Sequence, residues 1–224
     1  MSSNKVLSLR VACDGESASG KSFSSKVIAK KYKLFCINSG LLFRYASLLI
    51  LKHKPKKKIP FLKKKFKNLN YKKITRLDLH NQKISDHVAV LSQNKNVRAI
   101  TKAFQKKIIK KYPKVLCEGR DAASTILKKK PRYDVAFYFK CNLNTASLRR
   151  WRDLKKKVPL KIVKDSLQSR TRMDKSRKNS PLKKMRDAVL IRTDVLSKKV
   201  VIAKMSKYIE RKLLLKYGRN SKTR

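Results

Sequence analysis

One eight-residue segment constrains the fold of this chain more than any other. The segment from Gly15 to Ser22, GESASGKS, fits the pattern G-x-x-x-x-G-K-[ST]. It lies between an apolar run at 6–13 and a stretch at 21–33 that has apolar residues at helical spacing. A strand, a glycine-containing turn and a helix in this order are typical of a loop whose backbone N–H groups point at phosphate oxygens. We therefore predict an α/β fold that binds a nucleotide.

The residue types in this loop suit the triphosphate of ATP. Glycines let the backbone curl, and the N-terminal end of the following helix adds positive potential. We expect Lys21 to reach the β- and γ-phosphates and the hydroxyl of Ser22 to contact Mg²⁺. The predicted ATP-binding residues are Gly15, Glu16, Ser17, Ala18, Ser19, Gly20, Lys21 and Ser22.

The charge of the chain is extreme, at +49 over 224 residues. Such a charge indicates an anionic partner, namely a nucleotide, a nucleic acid or a membrane surface. Compositional bias is the alternative explanation, because Lys outnumbers Arg by 45 to 17. The lysine runs also lack the interleaved aromatic residues of a platform that binds single strands. Any nucleic-acid binding is therefore expected to be nonspecific, weak and sensitive to salt.

Several features favour a cytoplasmic protein without a membrane partner. The chain contains no stretch of 18 or more apolar residues. The apolar run in Met1–Arg10 is too short for a secretory signal. The four cysteines form no C-x-x-C pair, and each lies in or at the end of a short apolar run, so we expect reduced, buried thiols and no zinc site. We expect a monomer.

Strand-like and helix-like runs alternate along most of the chain, which predicts a parallel sheet covered on both faces. The predicted strands are 6–13, 34–37, 115–117, 135–140 and 189–191, with a further short strand at 74–79. The predicted helices are 21–33, 41–51, 84–92, 97–111, a segment ending near 157, 161–173 and 197–218. We expect Asn94 or Asn96 to cap the fourth of these helices, and Asn144 or Thr145 to cap the fifth.

Three further motifs contain basic residues suited to a second anion. They are N-S-G-L-L-F-R at 38–44, E-G-R-D at 118–121, and R-T-R-M-D-K-S-R at 170–177, which S-P-L follows at 180–182. Together with the phosphate loop they resemble the bacterial cytidylate kinase family, a member of the nucleoside monophosphate kinase group. The resemblance extends from residue 7 to about 210.

The resemblance implies a three-layer P-loop core with a five-stranded parallel sheet, a small monophosphate-binding lobe and a mobile lid. On this basis the core is 1–52, 92–157 and 180–224, the lobe is 53–91 and the lid is 158–179. The implied reaction moves the γ-phosphoryl group of ATP onto CMP or dCMP, with Mg²⁺ as the cofactor.

The family also implies roles for individual residues. The implied acceptor-binding residues are Ser39, Arg44, Arg98, Arg120, Asp121 and Asp174. The implied catalytic residues are Lys21, Arg120, Arg170 and Arg177, of which the last two belong to the lid. The chemistry supports this set, because phosphoryl transfer depends on positioning and charge neutralisation, and arginine forks bind phosphate oxygens in fixed geometry. Asp14 and Asp121 could instead be structural caps, and Asp187 is placed outside the site.

The sequence departs from the family pattern at four positions. Phe23 replaces a hydroxyl residue after the phosphate loop, and Asn38 replaces an Asp. Ala89 stands where a serine helps to recognise cytosine, although Ser85 or Ser92 could substitute. Met173 stands where the lid often has a further basic residue.

Two alternative functions therefore stay open. One is a kinase for UMP, AMP or another small acceptor. The other is a non-catalytic, basic nucleic-acid-binding protein on a P-loop fold.

Overall fold

The computed structural model describes residues 7–79 and 81–218, and of Gln82 only the backbone. The predicted start of the first strand, Val6, lies outside the described residues. The described residues divide into two compact units. Unit 1 lies within Met1–Ile37 and Tyr112–Arg224, and unit 2 is Asn38–Lys111.

Unit 1 is built on a five-stranded parallel sheet flanked by helices, as the sequence predicts. Its strand order is β2-β3-β1-β4-β5. The strands are β1 Leu9–Gly15, β2 Phe35–Asn38, β3 Lys114–Gly119, β4 Val135–Lys140 and β5 Val189–Arg192. The central strand β1 pairs with β3 on one side and with β4 on the other, so that Asp14 lies opposite both Gly119 and Tyr138. The carboxyl ends of these three strands therefore meet at one edge of the sheet.

The helices of unit 1 are α1 Lys21–Lys31, α7 Leu143–Asp153, α8 Leu160–Ser176 and α9 Lys198–Tyr217, with a π-helical turn at Ala122–Ile126 after β3. Helices α1 and α9 pack against each other and share one apolar core with the sheet. Ile28, Phe137 and Met205 are almost fully buried in this core. Burial of each such side chain contributes about 2 kcal/mol to stability, so the core fixes α1 on the sheet directly behind the phosphate loop.

Unit 2 is helical. It contains α2 Ser39–His53, α3 Lys58–Lys67, α4 Tyr71–Ile74, α5 Gln82–Leu91 and α6 Lys95–Lys111. Its core includes Leu42, Leu62 and Phe104, which are buried. The ring of Phe104 meets that of Phe66 edge-on, with centroids 5.9 Å apart, which joins α6 to α3. The strongly basic helices of this unit thus rest on an apolar interior.

The structure corrects three of the sequence predictions for local structure. The segment 74–79 is not a strand, because α4 ends at Ile74 and turns follow it. The sequence predicts no helix in the lysine-rich segment 52–73, but this segment contains α3. The cap of α7 is Asn142, whose side chain accepts a hydrogen bond from the N–H of Thr145, and neither Asn144 nor Thr145 has this role.

Other local predictions are confirmed. Asn94 precedes α6, and its side-chain oxygen accepts hydrogen bonds from the N–H groups of Asn96 and Val97. Ser197 caps α9, and Gly218 follows its last residue. The cysteines are free thiols, three of them buried and Cys36 half-buried.

The functional boundaries of a lobe at 53–91 and a lid at 158–179 stay predictions. Within the described ranges, no helix combines the length and the apolarity needed to cross a bilayer.

Candidate nucleotide and phosphoryl-transfer site

The phosphate loop has the backbone geometry that its glycines predict. Gly15 ends β1 with a φ of +149°, and a Cβ there would collide with the carbonyl group of Phe139. Gly20 has a φ of +71° and immediately precedes α1. Ala18 has a positive φ of 54° although it has a side chain. Such strain in a non-glycine residue is common at binding sites. Together, the positive φ values of these three residues let the loop curl back over the start of α1.

Lys21 is the buried cation of the loop. It is 5% exposed, and its Nζ donates a hydrogen bond to the carbonyl oxygen of Glu16 over 3.1 Å. Burial lowers the pKa of Lys21 to about 7, and the nearby charge of Arg120 acts in the same direction. An anion in the loop would favour the charged form of Lys21 and offset this effect. Phosphate bound in the loop would therefore raise the pKa of Lys21.

Ser22 and Glu118 lie together at the start of α1. The hydroxyl of Ser22 donates a hydrogen bond to Oε1 of Glu118, which is buried at the end of β3. Hydroxyl and carboxylate oxygens are the ligand types that Mg²⁺ accepts alongside substrate phosphates. The residues present therefore fit the Mg²⁺ expected at Ser22, with Glu118 as a second protein oxygen. Glu118 belongs to the E-G-R-D motif, but the sequence alone does not indicate a metal-binding role for it.

Asp14 is a structural brace beside the loop. Its two carboxylate oxygens accept hydrogen bonds from the N–H groups of Ala122 and Ala123, over 2.7 and 2.8 Å. Burial raises the pKa of Asp14 to about 7, although these two hydrogen bonds favour the ionised form. The capping role considered for Asp14 is therefore observed. Asp121, also buried, immediately precedes the turn that Asp14 holds, and its charge helps to raise the pKa of Asp14.

Arg120 and Arg177 converge on Asp174. Nε of Arg120 lies 2.9 Å from one oxygen of the Asp174 carboxylate, and Nη1 of Arg177 lies 3.0 Å from the other. Desolvation opposes ionisation of this carboxyl, but the charges of Arg120, Arg177 and Arg170 outweigh it and lower the pKa of Asp174. Nη2 of Arg120 also donates to the hydroxyl of Ser17, over 2.8 Å. Three predicted site residues, Arg120, Asp174 and Arg177, are thus joined to the phosphate loop in one network.

Further contacts hold the loop from the side of β5. Thr193, directly after β5, donates from its hydroxyl to the carbonyl oxygen of Ser19 over 3.1 Å. Arg149 on α7 in turn donates to the carbonyl oxygen of Thr193 over 2.7 Å. Lys175 on α8 forms an ion pair with Glu16 at 2.8 Å. Thr193 and Arg149 cannot be identified from the sequence, because neither lies in a motif and only the fold brings them to the loop.

Phe23 takes the position after Ser22 where the resemblance implies a hydroxyl residue. Its side chain is 47% exposed, and the ammonium group of Lys198 lies 5.0 Å from the centre of its ring. A cation at this distance from a phenyl ring is attracted to it. An aromatic ring with the ammonium group of Lys198 beside it therefore occupies this position.

The predicted acceptor residues Ser39 and Arg44 lie on α2 in unit 2. Arg44 is buried, and its Nη1 donates to the carbonyl oxygen of Leu79 over 2.8 Å and to the hydroxyl of Ser85 over 3.1 Å. The hydroxyl of Ser39 accepts a hydrogen bond from the Gln105 side chain over 2.7 Å. Both side chains are therefore held in fixed positions within the unit.

Arg98 on α6 is the second buried arginine of unit 2. Its guanidinium carbon lies 5.4 Å from the centre of the Phe43 ring, and its Nη1 donates to the carbonyl oxygen of Ser92 over 3.2 Å. Asn38, at the position where the resemblance implies an Asp, caps α2 by accepting a hydrogen bond from the N–H of Leu41 over 3.0 Å. The amide of Asn38 thus serves as the helix cap without a charge.

The predicted residues fall into two groups, one in each unit. Unit 1 brings the phosphate loop together with Arg120, Asp174 and Arg177, and it also contains Asp121 and Arg170. Unit 2 contains Ser39, Arg44 and Arg98. Asp187 contacts Arg132 and the hydroxyl of Tyr133, both outside this network. The geometry can bind an anionic phosphate chain on the loop, with further arginines in fixed positions.

Comparison with known proteins is consistent with this chemistry. The family described as cytidylate kinase matches residues 11–211. A cytidylate kinase of Clostridium botulinum strain Langeland is 28% identical, over 92% of this chain and all of that protein. A cytidylate kinase of Mesomycoplasma hyopneumoniae strain 7448 is 26% identical, over 92% of this chain and 95% of that protein.

One solved structure shows the same fold. It is an uncharacterised protein of Eubacterium ventriosum, with a TM-score of 0.56 and 16% identity, over 90% of this chain and 98% of that chain.

Proposed function

The chain belongs to the cytidylate kinase family, and on that premise we propose that it transfers the γ-phosphoryl group of ATP to CMP or dCMP, giving ADP and CDP or dCDP. The single observation that supports this most directly is the network that joins the phosphate loop to Arg120, Asp174 and Arg177. The family match and the named relatives do not favour the alternative of a non-catalytic nucleic-acid binder.

The donor binds at the phosphate loop. Backbone N–H groups of the loop and the N-terminal end of α1 hold the phosphate oxygens. Lys21 regains its full charge next to the phosphates and offsets the charge that develops on the bridging oxygen. Ser22 and Glu118 would hold Mg²⁺, which supplies neutralisation of the β- and γ-phosphate oxygens when bound.

The acceptor is bound by guanidinium groups. We assign the CMP phosphate to Arg44 and Arg120, and the cytosine base to Arg98, with Ser39, Asp121 and Asp174 as positioning groups. Arginine suits this role because its planar fork binds phosphate in a bidentate manner and stays charged. The two substrates are both anions, so the main task of these residues is to offset their repulsion.

The lid contributes the last charges. Arg170 and Arg177 are proposed to contact the transferring phosphoryl group once both substrates are bound. Arg177 forms an ion pair with Asp174, so its charge lies within the network. Closure of α8 over the substrates would also exclude water and suppress hydrolysis of ATP. We propose that the protein acts in the cytoplasm, as a monomer.

A coupled assay of ADP release with CMP, dCMP, UMP and AMP tests this function. We expect turnover with CMP, and a loss of at least about a thousandfold in Lys21→Ala, because Lys21 neutralises charge in the transition state. Lys26→Ala is the matched control, since Lys26 is exposed on the same helix. ADP release with UMP or AMP, but not with CMP or dCMP, would indicate a different acceptor.

A salt series of RNA binding separates the nucleic-acid alternative. Kinase function predicts that Lys21→Ala abolishes turnover and leaves RNA binding almost unchanged. If neither form turns over any monophosphate while both bind RNA, the proposal of a kinase fails.

A further inference from the structure

Unit 2 contains a cavity to which the proposed kinase function assigns no role. It is a groove of about 540 Å³ between α3 and α6, named here the α3–α6 groove. Ile59 and Phe66 of α3 face Ala99, Ala103 and Phe104 of α6 across it. The volume lies in the range of about 300–1,000 Å³ that is typical of small-molecule sites. Ala99 and Ala103 are exposed, and their small side chains keep the groove open.

The groove lies on the opposite side of α6 from the proposed acceptor residues. Asn96 and Ala103 line the groove, whereas Arg98 and Gln105 contact α2 residues or backbone within the unit. Each pair, 96 with 98 and 103 with 105, is two residues apart, which corresponds to about 200° around the helix axis. An occupant of the groove would therefore contact α6 without displacing Arg98 or Gln105.

The rim of the groove has one sign of charge. Lys63 and Lys67 lie one turn apart on α3, and Lys107 on α6 completes the rim. The Nζ of Lys107 lies 3.5 Å from the carbonyl oxygen of Lys67, which places these two lysines at the same end. No acidic residue is among the described residues that line the groove. The segment 38–111 contains 21 Lys and Arg against two acidic residues, Asp78 and Asp86.

An apolar floor with a basic rim determines the chemistry of the ligand. We propose that the α3–α6 groove binds a small amphipathic anion, with an apolar ring or short alkyl chain on the floor and a carboxylate or phosphate group at Lys63, Lys67 and Lys107. The apolar part gains by leaving water, and the anionic head gains charge-assisted hydrogen bonds from the ammonium groups.

Two other occupants fit the observations less well. A single-stranded nucleic acid needs exposed aromatic faces for stacking, but the two phenyl rings of the floor, Phe66 and Phe104, are buried. A stable protein interface takes about 20–30 residues from each side, whereas ten of the described residues line the groove. A small ligand matches both the volume and the charge.

Titration of the full-length protein with decanoate, followed by calorimetry, tests the proposal. We expect saturable binding of one decanoate per chain, and binding of the uncharged 1-decanol that is about tenfold weaker or more, because the charged contacts are lost. Saturating CMP should leave decanoate binding unchanged, since the groove is separate from the acceptor residues. Competition by CMP would overturn the assignment to this groove.

Matched double variants test the role of the lysines. Lys63→Ala with Lys67→Ala removes two rim charges, and Lys64→Ala with Lys65→Ala removes the same charge from the same helix but outside the groove lining. We expect the first to weaken decanoate binding about tenfold or more and the second to change it less than about twofold. Equal weakening in both would mean diffuse attraction to the basic surface, and the proposal would fail.

A filled groove provides a test that does not depend on charge. Ala103→Trp should abolish decanoate binding, whereas Val90→Trp, at a site that is 72% exposed on α5, should not. Unchanged binding in Ala103→Trp would contradict the proposal. Binding to phosphatidylglycerol vesicles without any binding of monomeric decanoate would identify a membrane surface instead and would equally overturn it. ADP release with CMP is measured in parallel, so failure here leaves the kinase function untouched.

Discussion

The hydroxyl of Ser22 donates a hydrogen bond to the carboxylate of Glu118, which joins the first turn of α1 to the end of β3. This contact connects the phosphate loop to the neighbouring strand at the point where Mg²⁺ is proposed to bind. Both oxygens come from rigid elements, and a rigid pair of ligands keeps the metal site in register with the phosphates. Glu118 is therefore as much a part of the proposed site as the loop itself.

We predict that Glu118→Gln raises the Mg²⁺ concentration needed for half-maximal activity about 10- to 100-fold, because one charged oxygen near the metal is lost. ADP release as a function of Mg²⁺ at fixed ATP and CMP measures this. Asp165→Asn, at an exposed position on α8, is the control for loss of an acidic charge. An unchanged Mg²⁺ dependence in Glu118→Gln would exclude Glu118 from the metal site.

ATP binding should take up a proton above pH 7. Burial lowers the pKa of Lys21 to about 7, and phosphate next to it would raise that value. Below pH 7 Lys21 is charged with or without ATP, so affinity is constant there. Above pH 7 the free amine must gain a proton on binding, so affinity falls with rising pH until the pKa of the bound state is passed.

Calorimetry in buffers of different ionisation enthalpy, such as HEPES and Tris, measures this uptake. We expect about half a proton at pH 7 and close to one proton at pH 8–9. Lys21→Arg is the control, since arginine stays charged. Uptake that persists in Lys21→Arg would assign the proton to another group, such as Asp14.

Asp174 should stabilise the fold as well as position its arginines. In Asp174→Asn the charges of Arg120 and Arg177 are left close together, and we expect the free energy of unfolding to fall by about 3 kcal/mol. Guanidinium denaturation followed by circular dichroism gives this value, with Asp165→Asn as the matched control on the same helix. Equal stability of Asp174→Asn and the native protein would mean that the ion pairs contribute no net stability.

The same carboxylate predicts the direction of a pH effect. Because the pKa of Asp174 is lowered in the folded protein, its stabilisation is present above the unfolded value and is lost as pH falls through the folded pKa. Denaturation midpoints between pH 5 and pH 2 should therefore fall less steeply in Asp174→Asn than in the native protein. Parallel slopes would contradict this account.

Arg44 should determine affinity for the acceptor and not for the donor. We predict that Arg44→Ala raises the KM for CMP about 30-fold or more, through loss of charged hydrogen bonds to its phosphate, and leaves the KM for ATP within about twofold. Arg76→Ala, at an exposed position in the same unit, is the control. A rise in the KM for ATP alone would contradict the assignment.

The core of the fold could be predicted from the sequence because the turn motif and the spacing of apolar residues indicate the same strands and helices. The strand, the glycine turn and the helix around Lys21 follow from one motif, and β4 has the bounds that its apolar run predicts. In contrast, α3 was obscured by its many lysines, since its buried residues are only Leu62 and Phe66. The false strand at 74–79 arose because a short apolar run alone does not separate a strand from a helix end and turns.

Residues of the candidate site could be predicted from the sequence only where a motif gives the residue type one dominant function. The loop sequence identifies Lys21 and Ser22 by spacing. Glu118, Thr193 and Arg149 could not be assigned, because their roles depend on strand order and on side-chain contacts between segments far apart in the chain. Asp14 is the opposite case. Its place beside the loop suggests a role in the site, but its carboxylate accepts hydrogen bonds from backbone N–H groups and acts as a structural brace.

Phosphorus NMR of ATP mixed with CMP and catalytic amounts of the protein tests the central claim most directly, because it separates transfer from hydrolysis. The account predicts that CDP and ADP form in equal amounts, that no inorganic phosphate accumulates, and that Lys21→Ala forms neither product. Release of ADP with inorganic phosphate and no CDP, or no reaction of the native protein with CMP, would contradict it.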